Sequence, residues 1–227
     1  MGLYCWEAHA HTAEISPCGN ISAAELAKLY IREGYTGVVI TNHFSHYGFT
    51  YMRDAGWEEQ VNWFYNGYLA VREAAGDRLR VLFGMELNVE GDPNDYLIYG
   101  VTKDFLLAHP ELLQLDIRAV SRLVRENGML LFQAHPFRNQ MRVVPPDLLD
   151  GIETFNGNLR HDSRNFITAQ WAERYGLLKV GGSDFHEYED LARGGFFTGR
   201  DIQDNDDLLA ALREGVIVKM SAEKFGL

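Results

Sequence analysis

Two histidines separated by one small residue, His9 and His11, stand near the start of the chain. The preceding residues 3–6 are apolar or aromatic, which predicts a β-strand. Residues two apart in a strand project from the same face, so the two imidazoles would lie side by side. Such a pair can hold a metal ion, although an isolated pair is more often coincidental. The metal-site hypothesis therefore depends on what the rest of the chain supplies.

Short apolar runs alternate with helical patterns along the chain. Runs of about four to six residues separated by helices predict a parallel sheet covered on its outer side. The predicted strands are residues 3–6, 36–41, 80–86, 95–101, 129–133, 151–155, 177–180 and 216–220. The helices between them are predicted at 23–33, 57–75, 116–126, 164–175 and 205–213. No Pro- or Gly-rich linker interrupts this pattern, so we expect one α/β domain over residues 1–227, folded as a barrel.

Ligand-type side chains occur where these strands end. In α/β barrels the carboxyl ends of the strands surround one mouth, where the active site is built. The strand-end residues are His9, His11, His43, Glu86, His135, Asp184 and His186. Five of the eight histidines are in this set, and we expect the set to converge. Glu153, which lies inside its strand, is expected to support ligands rather than bind metal.

Other interpretations of individual residues remain open. His135 precedes Pro136 and can simply end a strand, and His43 can be a hydrogen-bonded core histidine. Asp184 and His186 can form a polar turn. The three remaining histidines do not follow strand ends, so we expect surface or core roles for them: His46, His109 and His161.

The ordered motifs of the chain resemble those of the PHP superfamily (polymerase and histidinol phosphatase). They read H-x-H, I-T-N-H, G-M-E-L, A-H-P and G-G-S-D-F-H within residues 7–186. The resemblance implies a distorted (β/α)7 TIM-like barrel that holds up to three divalent metal ions and hydrolyses phosphoesters. It assigns His9, His11, Glu86 and Asp184 to the first metal, Glu86 and His135 to the second, and His43 and His186 to the third.

The chain departs from the family pattern at three places. Asn42 stands where an aspartate usually precedes the strand-two histidine. The first motif usually continues to an aspartate or histidine, for which Glu14 is the expected substitute. Cys18 is the other candidate there, but sulfur suits a hard, oxygen-rich site less well. Asp95 is the nearest ligand-type residue where many members have another histidine.

Imidazole and carboxylate ligands together favour Zn, Mn or Fe over Mg or Ca alone. The family chemistry implies two to three such ions, a metal-activated hydroxide that attacks phosphorus, and catalytic roles for Glu86 and Asp184 at the metals. His186 is the expected proton donor to the leaving group. A guanidinium can bind two phosphate oxygens at once, so arginines near strand ends are candidate phosphate clamps. These are Arg138, Arg160 and Arg193.

Aromatic residues crowd the segment that follows His43. They are Tyr47, Phe49, Tyr51, Trp57, Trp63, Phe64 and Tyr65. This segment can cover the mouth of the barrel and stack on a substrate, or its rings can belong to the outer core.

The overall composition limits the expected partners and compartment. The net charge of −11 argues against a broad surface that binds a phosphate backbone, so nucleic acid is not an expected partner. Cys5 and Cys18 are too few for a disulfide framework, which favours a reducing cytoplasm. No apolar run is long enough to span a bilayer, and the first residues do not resemble a signal peptide.

We therefore expect a metal-dependent phosphoesterase acting on a small phosphate monoester, such as a histidinol-phosphate-like compound or a nucleotide. Two alternatives stay open. One is a phosphodiesterase or exonuclease acting on nucleic acid, and the other is a non-catalytic metal-binding PHP module. The sequence does not identify the ester, the metals used in the cell or the oligomeric state.

Overall fold

Ten strands and six α-helices lie within residues 2–221, the part of the chain that the computed structural model describes. The strands are β1 (Tyr4–Ala10), β2 (Gly37–Ile40), β3 (His43–Phe44), β4 (Arg80–Leu87), β5 (Tyr96–Tyr99), β6 (Leu130–Gln133), β7 (Gly151–Asn156), β8 (Leu178–Gly182), β9 (Gly194–Thr198) and β10 (Ile217–Met220). The predicted single domain of residues 1–227 stays a prediction, since Met1 and residues 222–227 lie outside the described part.

The helices are α1 (Ala23–Arg32), α2 (Trp57–Ala75), α3 (Lys103–Ala108), α4 (Ile117–Glu126), α5 (Asn165–Tyr175) and α6 (Asn205–Glu214). Several begin at a side chain that accepts a hydrogen bond from the first turn, as Ser22, Asp116 and Asp204 do. These caps satisfy backbone N–H groups that have no partner within the helix. Over residues 2–221, no helix combines the length and apolar character that crossing a membrane requires.

The strands form one sheet in the order β10-β9-β1-β2-β4-β5-β6-β7-β8, with β3 paired beside β4. The sheet curls until Ala10 of β1 pairs in parallel with Phe185, just after β8. The Phe185 N–H donates to the His9 carbonyl at 3.1 Å, and the His11 N–H donates to the Phe185 carbonyl at 3.0 Å. These bonds nearly close the barrel, so the predicted distorted TIM-like barrel is confirmed.

The prediction of an all-parallel sheet is wrong at two places. Strand β5 runs antiparallel to both β4 and β6. The β4–β5 connection comprises only residues 88–95, which is shorter than the dozen or more residues of a parallel crossover. The strand β9, which the sequence did not predict, is antiparallel to β1. Its first two residues are glycines, which weaken a strand signal.

The glycines of β9 are required by close packing of backbones. A Cβ atom on Gly194 would lie 2.0 Å from the carbonyl oxygen of Gly182, and one on Gly195 would lie 2.3 Å from that of Trp6. The small residues therefore let β9 pass close to β8 while it pairs with β1. Strand β10 then adds to β9 at the edge of the sheet.

The aromatic segment after His43 contributes mainly to the core. The ring of Phe44 makes edge-on contacts with Phe49, Trp57 and Phe64 at centroid distances of 4.9 to 5.8 Å. Phe49 and Phe64 are buried, whereas Tyr51 is exposed. The structure thus favours the outer-core interpretation for these rings over a cover for the barrel mouth.

Candidate metal centre

Seven of the predicted ligands converge at the end of the barrel where β1, β4, β6 and β8 finish. They form three overlapping groups whose potential ligand atoms lie within 4.8 Å of one another. The groups are His9–Glu86–His135, His9–His11–Asp184 and His11–His43–His186. Below, the seven residues are called the cluster: His9, His11, His43, Glu86, His135, Asp184 and His186.

Backbone pairing explains why these side chains meet. The short β3 pairs with β4 in a register that places His43 opposite Glu86. The bonds between Phe185 and the end of β1 place Asp184 and His186 on either side of His9 and His11. Residues distant in sequence are therefore brought together by barrel closure.

The Glu86 carboxylate lies at the middle of the cluster. Its Oε1 is 3.2 Å from His9 Nε2 and 3.1 Å from His135 Nε2, while its Oε2 is 2.8 Å from His43 Nδ1 and 3.3 Å from His11 Nε2. Burial acts to raise the pKa of this carboxyl, but His9 and His43 hold the pKa well below its usual value. An ionised carboxylate between two sets of imidazoles has the placement of a bridging ligand.

Asp184 joins the cluster to a buried arginine. Its Oδ1 lies 3.5 Å from the Nε2 atoms of His9 and His11, and its Oδ2 accepts a hydrogen bond from Arg138 Nη2 at 2.6 Å. Both Asp184 (φ +50°) and His135 (φ +27°) adopt left-handed backbone conformations. Such conformations cost about 1–3 kcal/mol each in non-glycine residues and concentrate at functional sites.

The orientation of the His9 ring is fixed by Glu153. The Nδ1–H of His9 donates to Glu153 Oε1 at 2.9 Å, which leaves Nε2 facing the cluster. The other Glu153 oxygen accepts from the His135 N–H and from Asn156 Nδ2, each at 2.9 Å. Glu153 thus has the supporting position expected from the sequence. A carboxylate behind a ligating imidazole orients the ring and raises its basicity.

A hydrogen-bond chain fixes the His11 ring in the same way. The Ser16 hydroxyl donates to Asn42 Oδ1 at 3.1 Å, so its oxygen is left to accept from His11 Nδ1–H, also at 3.1 Å. The lone pair of His11 then lies on Nε2, which faces the cluster. Asn42 Oδ1 also accepts from the Thr12 N–H at 2.7 Å. Asn42, a departure from the family pattern, therefore organises the first motif.

Hydrogen-bond satisfaction gives an independent test of whether these residues fit metal ions. Buried polar atoms in folded proteins are nearly always paired. Seven buried side-chain atoms within residues 2–221 form no hydrogen bond of regular geometry, and four of them belong to the cluster: His9 Nε2, His11 Nε2, His135 Nδ1 and Glu86 Oε2, the last of which lies 2.8 Å from His43 Nδ1. Nitrogen and oxygen atoms that gather in a dry pocket and do not satisfy one another with regular hydrogen bonds are a ligand set suited to divalent cations.

Two predicted site residues lie elsewhere. Glu14 is exposed, and both of its carboxylate oxygens accept from the Ala23 N–H, at 2.9 and 3.0 Å. It caps the start of α1 and lies outside the three ligand groups, so its role as a ligand stays a prediction that this position does not support. Arg193 donates through Nε to the Gly157 carbonyl at 2.9 Å and does not line the cavity beside the cluster. Its role as a phosphate clamp therefore also stays a prediction that its position does not support.

A cavity of about 400 Å³ opens beside the cluster. Asp95 lies on its wall, with Oδ2 3.8 Å from His135 Nε2. Burial, followed by the Glu86 charge, raises the pKa of Asp95 to about 6. Asp95 is thus at the edge of the cluster rather than inside it. A larger cavity of about 640 Å³ is lined by Arg72 and Lys103 and contains no cluster residue.

Two of the predicted arginines do line the cluster cavity. Arg138 donates through Nη2 to Asp184 and Asn156, each at 2.6 Å, and through Nε to Ser163 at 3.0 Å. Arg160 donates from both Nη atoms to Asp190, at 3.0 and 2.8 Å. Both guanidinium groups are therefore held in place at the cavity wall.

Two further titratable residues line the cavity. His161 lies on the wall, in the loop after β7, where no strand periodicity marks it. Cys18, which the sequence placed second to Glu14, lies on the wall beside His43 and His186. Burial acts to raise the pKa of the Cys18 thiol, but its interactions with these two imidazoles lower the pKa to about 6.

Comparisons with known proteins place this geometry in context. The family model described as PHP-associated matches residues 162–217. A comparison of the sequence with proteins of curated function finds no match. Among solved structures, a candidate metal-dependent phosphoesterase from Bifidobacterium adolescentis is 19% identical, with a TM-score of 0.53. The match covers 93% of this chain and 96% of the other.

Two other solved structures match with higher TM-scores. The protein PsfC from Pseudomonas syringae is 12% identical with a TM-score of 0.68, covering 98% of this chain and 93% of the other. The lesion-specific Endonuclease Q from Pyrococcus furiosus is 11% identical with a TM-score of 0.65. That match covers 96% of this chain but only 58% of the endonuclease. The resemblance to the PHP superfamily is thus confirmed, and at these identities the structural matches establish the fold.

The expectation that nucleic acid is not a partner is wrong. Endonuclease Q shares this fold and has been solved with a 27-mer duplex whose abasic lesion lies at the active site; that structure is 12% identical to this chain, with a TM-score of 0.65, and covers 96% of this chain and 58% of the other. Because a protein with this fold binds duplex DNA, the net charge of this chain is not a sufficient reason to exclude nucleic acid as a partner. Overall charge describes the whole surface and not the local field of one site.

Proposed function

We propose that this chain, which has the fold of the PHP superfamily, is a metal-dependent phosphoester hydrolase. The observation that supports the proposal most strongly is the convergence of five imidazoles and two carboxylates with four unpaired buried donor atoms. The cluster opens into a cavity whose wall carries two arginines. Metal ligands next to guanidinium groups suit a phosphate ester, whose negative charge both can stabilise.

The cluster would hold two to three divalent ions, drawn from Zn, Mn and Fe. Ions bound there supply Lewis acidity and neutralise phosphate charge. Glu86 bridges the two sides of the cluster, and Asp184 contributes a second carboxylate. Glu153 and Ser16 keep His9 and His11 turned so that Nε2 faces inward. The chain thus provides a rigid, desolvated set of ligands.

The position of His186 bears on its predicted role as proton donor. Its Nδ1 donates to the Asp184 carbonyl at 2.9 Å, which leaves a single nitrogen for other chemistry. That nitrogen can bind a metal or protonate a leaving group, but it cannot do both at once. We assign His186 to the metal because it belongs to the His11–His43–His186 group.

Arg138 and Arg160 are the proposed phosphate-positioning residues. Arg138 uses Nε and Nη2 within the protein, and among the described residues its Nη1 makes no hydrogen bond. Arg160 is held by Asp190 at the cavity wall, with about a third of its side chain exposed. Each can direct a positive charge at the cavity while its own orientation is fixed. Preorganised charge of this kind stabilises the transition state without reorganisation.

Two substrate classes fit the site. A volume of about 400 Å³ is within the range of small-ligand pockets, which supports a small phosphate monoester. The likeness to Endonuclease Q supports a nucleic-acid phosphodiester as the second candidate. A nucleotide turned out of a duplex into an enzyme pocket would present a group of similar size.

A substrate panel separates these candidates. The metal-loaded protein is assayed with p-nitrophenyl phosphate, bis(p-nitrophenyl) phosphate, an undamaged duplex and a duplex containing an abasic site. We expect hydrolysis of at least one ester, abolished by a chelator and by the His9→Ala substitution. Preferential release of inorganic phosphate would support the monoester, and strand cleavage would support the phosphodiester.

The matched control is His46→Ala, because His46 is a half-exposed histidine outside the cluster whose nearest charged partner, Glu90, is 3.9 Å away. It should retain full activity. Metal-loaded protein that binds its ions but is inert toward every ester would contradict the proposal and favour a non-catalytic metal-binding module.

A further inference from the structure

The thiol of Cys18 has a defined place at the cluster. The loop before it turns back on itself, with the Ser16 N–H donating to the Thr12 carbonyl and the Gly19 N–H to the Ser16 carbonyl, each at 2.9 Å. The next residue, Asn20, donates its N–H to the His186 carbonyl at 2.9 Å. These bonds hold Cys18 against the segment that carries His186.

The same turn packs closely around Gly19, the residue after Cys18. A Cβ atom on Gly19 would lie 3.2 Å from the Thr12 carbonyl carbon and oxygen. The backbone is therefore closely packed beside Cys18, and the Cys18 side chain lies on the cavity wall. There the thiol interacts with the side chains of both His43 and His186.

A buried imidazole nitrogen that makes no hydrogen bond lies close to His43 and His186. His11 Nε2 is fully buried and makes no hydrogen bond. The His11 ring stacks on His186 at a centroid distance of 4.1 Å and packs against His43 at 4.4 Å. One ligand atom from each of these three residues lies within 4.8 Å of the others. Three imidazoles thus surround one point, and the Cys18 thiol lies beside two of them.

We propose that Cys18 binds, as a thiolate, a divalent ion that His11, His43 and His186 also hold. The thiol proton passes to solvent when the ion binds. Three nitrogens and one sulfur make a four-ligand set of the kind that Zn²⁺ accepts, and the sulfur favours Zn²⁺, Fe²⁺ or Co²⁺ over Mn²⁺ and Mg²⁺. The inference rests on the proposed function only in requiring that the cluster binds divalent ions.

The sequence placed Cys18 behind Glu14 because the site was expected to be rich in oxygen. The structure removes Glu14 from the cluster, since its carboxylate caps α1. The group nearest to Cys18 consists of imidazoles, which are softer ligands than carboxylates. Cys18 therefore takes the place that the first motif of the family gives to an aspartate or histidine.

Cobalt substitution tests the proposal without measuring turnover. The full chain is stripped of metal, loaded with Co²⁺ and studied by absorption spectroscopy. We expect a thiolate-to-cobalt charge-transfer band in the near ultraviolet, in addition to the visible bands of the bound ion. Cys18→Ser should lose the ultraviolet band and weaken Co²⁺ binding at one position by at least about 10-fold, since even an outer-shell change costs that much.

Cys5→Ser is the matched control, because Cys5 is the other cysteine and does not line the cavity. It should keep the band. Cys18→Asp should restore Co²⁺ affinity without the band, because the carboxylate supplies an anionic oxygen in place of sulfur. Visible cobalt bands without the ultraviolet band in the unsubstituted chain would overturn the assignment of Cys18 while leaving the proposed function intact. Absence of all cobalt bands would overturn both.

Alkylation provides a second measurement if Cys18→Ser does not fold. The unsubstituted chain is treated with iodoacetamide with and without Zn²⁺, and the labelled cysteine is identified by mass spectrometry. We expect Zn²⁺ to slow labelling of Cys18 at least about 10-fold and to leave Cys5 unchanged. Equal labelling of Cys18 in the presence of bound Zn²⁺ would overturn the proposal.

Discussion

Glu86→Gln is expected to reduce hydrolysis by about three orders of magnitude or more. The substitution keeps the shape of the side chain but removes the charge that lies among four imidazoles. Metal ions contribute several kcal/mol to transition-state stabilisation, and about 1.4 kcal/mol corresponds to a tenfold change in rate. Loss of the bridging ligand should therefore abolish most of the catalysis. The measurement is kcat/KM on the best substrate of the panel, together with the number of metals per chain.

Glu90→Gln is the control for this experiment. Glu90 is an exposed carboxylate close to Glu86 in sequence and lies outside the cluster. It should keep both the activity and the metal content of the unsubstituted chain. Glu86→Gln protein that is folded by circular dichroism and retains full metal content and activity would contradict the assignment of Glu86.

Removal of the metal ions is expected to abolish activity and to lower stability by about 4 kcal/mol, if the free ion is about 1,000-fold above its dissociation constant. The physical reason is that the folded cluster binds the ions and the unfolded chain, whose ligands are scattered in sequence, does not. For a domain of this size, that loss corresponds to a decrease of roughly 8–16 °C in the melting temperature. The measurement is thermal unfolding before and after chelation, and again after metal is returned.

Glu86→Gln also serves as the internal control for the stability effect. Its melting temperature should respond less to the chelator than that of the unsubstituted chain, whereas Glu90→Gln should respond fully. A melting temperature that does not change on chelation in any of the three proteins would show that the cluster is not a metal centre.

The convergence of the seven cluster residues could be predicted because their signal is local and repeated. Each of the seven residues lies at or just after the end of an apolar run, and barrel closure brings strand ends to one mouth whatever the loops between them do. Glu153 could be placed behind the cluster because it lies three residues before the end of β7, whereas His9 and Glu86 each lie one residue before the end of their strands. The position of a residue relative to the end of its strand was thus the main signal for the site.

The residues that the sequence placed least well are those whose roles depend on tertiary partners. Glu14 lies at the distance from the H-x-H motif where the family has a ligand. Its carboxylate instead accepts a hydrogen bond from the Ala23 N–H, which has no partner within α1. Arg138 and Arg160 do line the cavity, but the contacts with Asp184 and Asp190 that hold their guanidinium groups there could not be predicted. Sequence spacing does not predict which carboxylate an arginine pairs with in the folded chain.

The antiparallel strands were missed for a different reason. An apolar run indicates burial but not direction, and β5 has the same apolar character as the parallel strands. The length of the 88–95 connection was the available signal, since it cannot contain a helical crossover. The nucleic-acid exclusion failed because it applied a whole-chain charge to a site whose field depends on a few residues.

The most direct test of the metal-centre assignment is a crystal structure of the metal-loaded chain, with anomalous diffraction recorded at the absorption edge of the bound metal. The account predicts two or three anomalous peaks enclosed by His9, Glu86, His135, Asp184 and the His11–His43–His186 group. A metal-loaded crystal whose peaks all lie away from these residues would contradict it.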